Sequence, residues 1–95
     1  MRESQIEEYF VKQVKAAGGQ TRKFVSPGKR GVPDQICGFP GGKFSFVELK
    51  MLGKKPRADQ LREHEIWRKL GFAVHVLDSY ETVDKFIQEM TKWVR

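Results

Sequence analysis

Three residues near the middle of the chain have the types and spacing that phosphodiester chemistry needs. Asp34 ends the run Val32-Pro33-Asp34, and Glu48 and Lys50 alternate in a second run fourteen positions later. Two carboxylates can hold a hard divalent cation, and a nearby ammonium can stabilise charge on a phosphate. The pattern predicts a metal-dependent hydrolytic site, provided that the fold brings Asp34 and Glu48 together.

A predicted β-hairpin would bring these residues together. Pro40-Gly41-Gly42 lies between two apolar runs and is typical of a turn. If Gly41 is the centre of a three-residue loop, Asp34 lies opposite Glu48, whereas a bulge would shift this register by one residue. Alternation along the second strand then places Glu48 and Lys50 on one face of the sheet.

Hydrophobic periodicity predicts the element order α-β-β-β-α-β-α, an α/β fold with a mixed sheet flanked by helices. The first two helices are expected at residues 3–17 and 57–70, where glycines follow the last apolar position and Pro56 precedes the second helix. Strands are expected at residues 20–25, on both arms of the hairpin and at 72–77. Ser79 is the expected N-cap of the last helix, whose core face carries Val83, Phe86, Ile87, Met90 and Val94.

Length and composition indicate a single domain spanning residues 1–95, with 39% hydrophobic residues and a modest core that pairing with a second copy would stabilise. The only cysteine, Cys37, excludes a disulfide framework and is expected to be a buried reduced thiol. The chain has no apolar stretch of membrane-spanning length and no signal-peptide pattern, so we expect an intracellular, soluble protein. Gly28 and Gly31 precede a strand and lack a P-loop Lys-Ser pair, so no nucleotide cofactor is expected.

The positive charge of the chain is concentrated beside the predicted site. Residues 9–33 and 49–58 contain no acid but hold ten of the eighteen Lys and Arg residues. Isolated lysines usually belong to solvated surface. Their concentration in two segments that adjoin a carboxylate pair favours a phosphate backbone as partner.

Helical geometry separates the three glutamates of the first helix. Glu3 and Glu7 lie at the margin of the apolar stripe, while Glu8 points into solvent. A carboxylate at that margin can reach a metal held by the sheet, although an exposed helix edge that pairs with Lys or Arg is the common alternative. Glu7 is the first choice and Glu3 the second.

The histidines and tryptophans are expected to be structural. His64 and His75 are eleven residues apart, and His75 lies in an apolar strand, so a histidine metal site is disfavoured. Trp67 and Trp93 have the spacing of helix core residues. Gln60 shares a helical stripe with His64, so it can face either the core or the site.

An ordered set of motifs resembles the virus-type replication-repair nuclease (VRR-NUC) family, a branch of the PD-(D/E)XK nucleases with a restriction-endonuclease-like core. The matching segments run along nearly the whole chain: Ile6-Glu7, Lys23-Phe24-Val25-Ser26-Pro27-Gly28, Gly31-Val32-Pro33-Asp34, Pro40-Gly41-Gly42, Phe46-Val47-Glu48-Leu49-Lys50 and Gln60. A lone PD…ExK match is weak, but the longer ordered set is specific. The resemblance implies a compact phage-type nuclease, often a homodimer, that cuts branched DNA like a Holliday-junction resolvase.

Roles for individual residues follow from this resemblance and from the chemistry of the groups. Asp34, Glu48 and the Leu49 carbonyl would bind Mg²⁺, or Mn²⁺ as a substitute. Lys50 would position the attacking water or stabilise the transition state, Glu7 would hold a second metal or a water, and Gln60 would face the site. The residues expected to bind DNA are Lys23, Ser26, Lys29, Arg30, Lys54, Lys55 and Arg57.

Two other functions remain open at this point. One is a monomeric nuclease that acts on flaps, nicks or single-stranded ends, because branch selectivity depends on dimer geometry. The other is a basic DNA-binding module whose carboxylates form only surface ion pairs. A pure binder gains little from acids beside phosphates, so the three residues Asp34, Glu48 and Lys50 together favour an enzyme.

Overall fold

The computed structural model describes residues 1–92 and has the predicted order of elements. The helices are α1 (Glu3–Ala16), α2 (Ala58–Lys69) and α3 (Tyr80–Thr91), and the strands are β1 (Gln20–Lys23), β2 (Gln35–Phe39), β3 (Lys43–Leu49) and β4 (Val74–Leu77). The strands are arranged in the order β1-β2-β3-β4, with β3 and β4 parallel and the other pairs antiparallel. The predicted α/β fold with a mixed sheet is therefore confirmed. Within residues 1–92, every helix is too short or too polar to cross a membrane.

One face of the sheet carries the apolar core, which is covered by α1 and α3. Its buried side chains come from both helices and from β2, β3 and β4: Ile6, Phe10, Val14, Cys37, Phe39, Val47, Leu49, Leu77, Val83, Phe86 and Met90. Cys37 is a free buried thiol, and burial raises its pKa to about 12. This confirms the expected burial of Cys37 and, over the described residues, the core face predicted for α3. Val94 and Trp93 lie outside the described residues.

The opposite face of the sheet is covered at β3 by α2. The Phe46 and Trp67 rings are 4.9 Å apart, centroid to centroid, and Phe72 packs against both. Trp67 is thus a packing residue, as expected. Because alternate residues of a strand share a face, Glu48 lies on the same side of β3 as Phe46 and points towards α2.

The hairpin has the predicted register. Gln35 pairs with Val47 and Phe39 pairs with Lys43, which places Asp34, the residue before β2, level with Glu48. The Phe24 N–H donates to the Asp34 carbonyl over 2.7 Å, so the pairing of β1 with β2 continues for one step beyond the assigned strand. The main chain at Asp34 is therefore held between two neighbouring strands.

Two strands are shorter than the apolar pattern predicts. β1 ends at Lys23 rather than at residue 25, and Val25 is 76% exposed in the following loop. β4 begins at Val74 rather than at residue 72, because Gly71 turns the chain with a φ of 95° and Phe72 packs sideways against Trp67. The bounds of α1 and α2 differ from the prediction by one residue at most, and α3 begins directly after its predicted N-cap, Ser79.

Candidate active site

Glu48 is the most deeply buried acid of the candidate site and is surrounded by polar groups. Its side chain is 1% exposed. Gln60 Nε2 donates to Oε2 over 3.0 Å, Lys50 Nζ lies 3.6 Å from the same oxygen, and His64 Nε2 lies 3.4 Å from Oε1. A buried carboxylate is costly without such partners. The structure therefore assembles a polar cluster around Glu48 from the end of β3 and from α2.

The helical repeat of α2 explains why two of its residues reach Glu48. Gln60 and His64 are four residues apart, so they lie one turn apart on the face that meets the sheet. Gln60 Oε1 also accepts a hydrogen bond of 2.8 Å from the Arg57 N–H at the start of the helix. The Gln60 amide is thus held at both ends, and only its NH₂ group faces Glu48. The sequence left open whether Gln60 faces the core or the site, and in the structure it faces Glu48.

Sequence reasoning missed the contact between His64 and the site. The His64 side chain is fully buried, and its Nδ1 has no hydrogen-bond partner among residues 1–92. Among residues 1–92, its hydrogen-bonding contact is with Glu48, through Nε2. The signal in the sequence was its spacing of four residues from Gln60, which predicts the same helix face.

Asp34 is more exposed than Glu48, and its own pKa is raised. Asp34 is half-buried, and its Oδ2 accepts a hydrogen bond of 2.9 Å from the Leu49 N–H. Burial raises the pKa of Asp34 to about 6; the Leu49 hydrogen bond opposes this rise, and the negative charge of Glu48 adds to it. A rise caused by burial and a second carboxylate is what a shared cation site produces before a cation neutralises it.

Asp34 opens into a cavity of about 260 Å³ between the start of α1 and the sheet. Glu3, Glu7, Lys23 and Leu49 also line this cavity. Glu7 lies 3.8 Å from Lys23 Nζ, while Glu3 is close enough to add to the raised pKa of Asp34. Both glutamates considered for α1 therefore reach the cavity that contains Asp34.

Gln35 is a second residue that sequence reasoning missed. It follows Asp34 directly, is 3% exposed and faces α1, where its Nε2 donates to Glu7 Oε2 over 2.9 Å. Its Oε1 accepts from the Thr21 hydroxyl over 3.1 Å. Gln35 thus fixes the position of Glu7 beside the sheet. Its place in a buried strand was the available signal, because a buried amide needs partners.

The donor set of this site fits a hard divalent cation. Within residues 1–92, no three His, Cys, Asp or Glu side chains converge closely enough to hold a metal by themselves. Asp34 and Glu48 offer two carboxylates, and Leu49, whose main-chain carbonyl is the predicted third ligand, lines the cavity beside Asp34. Mg²⁺ is commonly held by one or two carboxylates with water as the remaining ligands. The oxygen donors present match that cation better than a metal that prefers sulfur or imidazole.

The basic residues predicted to bind DNA occupy three places. Lys23 lies at the Asp34 cavity. Lys29 and Arg30 are exposed and line a separate groove of about 560 Å³ against α2, where Arg62 joins them. That loop approaches α2 closely at Gly31, where any Cβ would lie 2.7 Å from the Asp59 carbonyl oxygen.

The other members of the predicted DNA-binding set differ in how available they are. Lys54 and Lys55 are exposed in the loop that follows Lys50. Arg57 Nε is paired with Asp59 Oδ1 at 3.2 Å. The Ser26 carbonyl accepts from the Lys29 N–H in a turn, and the Ser26 residue is half-buried. Lys54 and Lys55 are therefore the freest cations of this set next to the carboxylates.

Comparison with known proteins gives two close relatives. No protein-family model matches the chain. The chain is 51% identical over 81 residues to "Putative nuclease p44" of Acyrthosiphon pisum secondary endosymbiont phage 1, an alignment that covers 85% of this chain and 87% of the relative. A solved structure named VRR_NUC domain matches with a TM-score of 0.85 at 40% identity and covers 90% of this chain and 94% of its own.

Proposed function

The chain belongs to the VRR-NUC family of nucleases, and we propose that it is a metal-dependent endonuclease that hydrolyses phosphodiester bonds in branched DNA. The observation that carries this proposal is the convergence of Asp34, Glu48 and Lys50 at the open end of the hairpin. The loops that carry Lys29, Arg30, Lys54 and Lys55 adjoin the strands that hold these groups. This arrangement supports the proposal, because acids that would hold a cation adjoin basic loops that would bind a phosphate backbone.

Asp34, Glu48 and the Leu49 carbonyl would hold Mg²⁺, with Mn²⁺ as a substitute. When bound, the cation supplies a water of lowered pKa and offsets charge on the phosphate. Asp34 accepts from the Leu49 N–H through one oxygen and would offer the other to the cation, next to Glu48. Gln60 and His64 restrict the Glu48 carboxylate to one orientation, which favours a fixed ligand geometry.

Lys50 is proposed to act on the reacting phosphate. Its side chain is 13% exposed, and its ammonium is 3.6 Å from Glu48, so it is held at the site rather than free in solvent. In hydrolysis, the water oxygen bonds to phosphorus, the bond to the leaving sugar oxygen breaks, and that oxygen takes up a proton. The Lys50 ammonium orients the water or stabilises the charge that develops on the phosphate oxygens. Glu7 would hold a second metal or a water at the opposite wall of the cavity.

The preferred substrate is proposed to be a four-way junction, cut by a homodimer. One site can cut one strand at a time, and an isologous pair would present two sites to equivalent strands of a two-fold junction. The support is family membership and the small size of the chain. As a phage-type enzyme it would act inside the cell, in the cytoplasm of a bacterial host.

The test is Mg²⁺-dependent cleavage of matched substrates: four-way junction, splayed arm, flap, linear duplex and single strand. We expect the junction to be cut fastest, and Asp34→Ala and Glu48→Ala to abolish cleavage while DNA binding survives, because affinity comes from the basic loops. Glu81→Gln, at an exposed carboxylate on α3, is the matched control and should retain full activity. Turnover like that of the wild type by either folded site variant would rule out this active site.

Sedimentation at assay concentrations tests the assembly, together with mapping of the cuts on all four junction strands. A dimer with two symmetric incisions is the expected result. A monomer that nicks one strand and prefers flaps would instead identify a flap nuclease. DNA binding with no cleavage in Mg²⁺ or Mn²⁺ would reduce the chain to a binding module.

A further inference from the structure

The loop between β3 and α2 exposes two large apolar side chains directly after Lys50. Met51 is 40% exposed and Leu52 is 58% exposed. The Lys54 N–H donates to the Met51 carbonyl over 3.0 Å, and Gly53 has a φ of 83°, which is the geometry of a tight turn with glycine at its third position. Leu52 is therefore held at the tip of a hydrogen-bonded turn, pointing away from the core.

The tip of this turn lies near the proposed active site, because only a short length of chain separates the two. Lys50 Nζ is 3.6 Å from Glu48 Oε2. Leu52 follows Lys50 by two residues, so its backbone can lie no more than about 7 Å from that of Lys50. The opposite loop, after β1, exposes Val25 to 76% beside the Asp34 cavity. Apolar groups thus lie on two loops that border the same site.

The charges around Leu52 identify the kind of partner. Residues 49–58 contain no acid, and Lys54 and Lys55 are exposed on the same loop. Nucleic acid presents such a combination, because its phosphates can bind the lysines while the apolar faces of its bases can contact the leucine. Proteins that distort DNA often insert Leu or Met between base pairs and bind the adjacent backbone with cations.

We propose that Leu52, supported by Met51, is a wedge that inserts at the branch point of the DNA substrate and unstacks a base beside the scissile phosphate. Lys54 and Lys55 bind the backbone on either side of the opened step. The inference rests on the proposed function and adds the means by which the site selects branched DNA. Unstacking is cheapest where pairing is already interrupted, so a wedge favours branches over continuous duplex.

The experiment compares Leu52→Ser with Leu70→Ser as matched control. Leu70 is also exposed, at 63%, but lies at the far end of α2, about 18 Å along the helix axis from the end nearest Gln60. Base unstacking is read from the fluorescence of 2-aminopurine placed at the branch, with both variants made in the Asp34→Asn background so that the DNA stays intact. Cleavage is measured in the otherwise native protein, on a four-way junction and on a DNA whose bases at the cut site are already unpaired.

We expect binding of the Asp34→Asn protein to raise the fluorescence, and Leu52→Ser to remove most of that rise while Leu70→Ser leaves it unchanged. Cleavage of the junction by Leu52→Ser should fall about tenfold, because burying the exposed part of a leucine is worth about that factor. Cleavage of the DNA with unpaired bases should change little, since no base then needs to be displaced.

Four results would overturn the wedge, the last of them together with the proposed function. If Leu52→Ser cuts both substrates at the wild-type rate, Leu52 does not enter the DNA. If it slows both substrates equally, the residue acts on the general fold of the loop. If it changes the sedimentation of the DNA-free protein, the tip is a contact between protein chains. A wild-type protein that cuts none of the substrates refutes the proposed function itself, and the wedge with it.

Discussion

Replacing Asp34 by asparagine should stabilise the metal-free protein at neutral pH while abolishing its proposed activity. The pKa of Asp34 is raised from 3.8 to about 6, mainly by burial. The folded state therefore binds this proton more tightly than the unfolded state does. The contribution of Asp34 to the free energy of unfolding is greatest below about pH 4, falls as the pH rises towards about 6, and stays low above that value. Asparagine cannot acquire the charge that causes the loss.

The magnitude follows from the size of the pKa rise. A rise of about two units corresponds to at most ~3 kcal/mol in the free energy of unfolding. Because Asp34 is only half-buried, solvent screening reduces this to about 1–2 kcal/mol. The asparagine oxygen can still accept from the Leu49 N–H, so the substitution retains that hydrogen bond. For a domain of this size the gain is about 5–10 °C in Tm.

The assay is thermal unfolding in EDTA, across a pH series from about 4 to 8, for the wild type, Asp34→Asn and the exposed control Glu81→Gln. The difference in Tm between the wild type and Asp34→Asn should increase as the pH rises to about 6 and then stay constant. Adding Mg²⁺ at pH 7 should raise the Tm of the wild type and of the control, but not of Asp34→Asn.

Two results would refute this reasoning. If Asp34→Asn is no more stable than the wild type at pH 7, the burial of the carboxylate does not carry the cost deduced from the structure. If Mg²⁺ stabilises Asp34→Asn as much as the wild type, Asp34 is not a ligand.

Three further variants test other parts of the site. Lys50→Ala should lower saturated turnover by about 10²-fold or more with little change in DNA affinity, because its ammonium acts on the developing charge. Single-turnover kinetics at saturating DNA measure this effect. Weak binding with normal turnover would instead make Lys50 a contact to the DNA backbone. Changing Lys54 and Lys55 to Gln should weaken binding to every DNA shape. It should also reduce the slope of log binding constant against log salt concentration by up to about 1.8 for duplex, with Lys85→Gln as control. An unchanged slope would place both lysines away from DNA. His64→Ala should raise the Mg²⁺ concentration needed for half-maximal activity by about 10–100-fold, and His64→Asn should raise it less. A drop in Tm with an unchanged Mg²⁺ requirement would show that His64 only fills space beside Glu48.

The hairpin that positions the site could be predicted from the sequence because its determinants are local. A turn of Pro40-Gly41-Gly42 between two apolar runs sets the register, and alternation then determines which side chains share a face. The structure has that register, with Gln35 opposite Val47. The proximity of Asp34 and Glu48 therefore needed no knowledge of the rest of the chain.

The environment of the carboxylates could not be predicted in the same way, because it depends on how distant elements pack. The contact of His64 with Glu48 requires the rotation of α2 on the sheet, and helical periodicity alone left Gln60 free to face either way. Gln35 reaches Glu7 only because α1 crosses the sheet beside β2. The apolar pattern also predicted a β4 that is too long, because Phe72 packs against Trp67 from a turn rather than from a strand.

The two central carboxylates differ in a way that assigns them different tasks. Glu48 is buried, and Gln60, His64 and Lys50 satisfy both of its oxygens, so its position is determined by the protein before any ligand arrives. Asp34 is half-exposed, and burial together with the negative charge of Glu48 raises its pKa. A cation that enters the site gains most by neutralising Asp34, because that charge is the least compensated in its absence. We therefore expect cation binding to relieve the electrostatic cost of the Asp34 charge, while Glu48, already held by its protein partners, would set the ligand geometry.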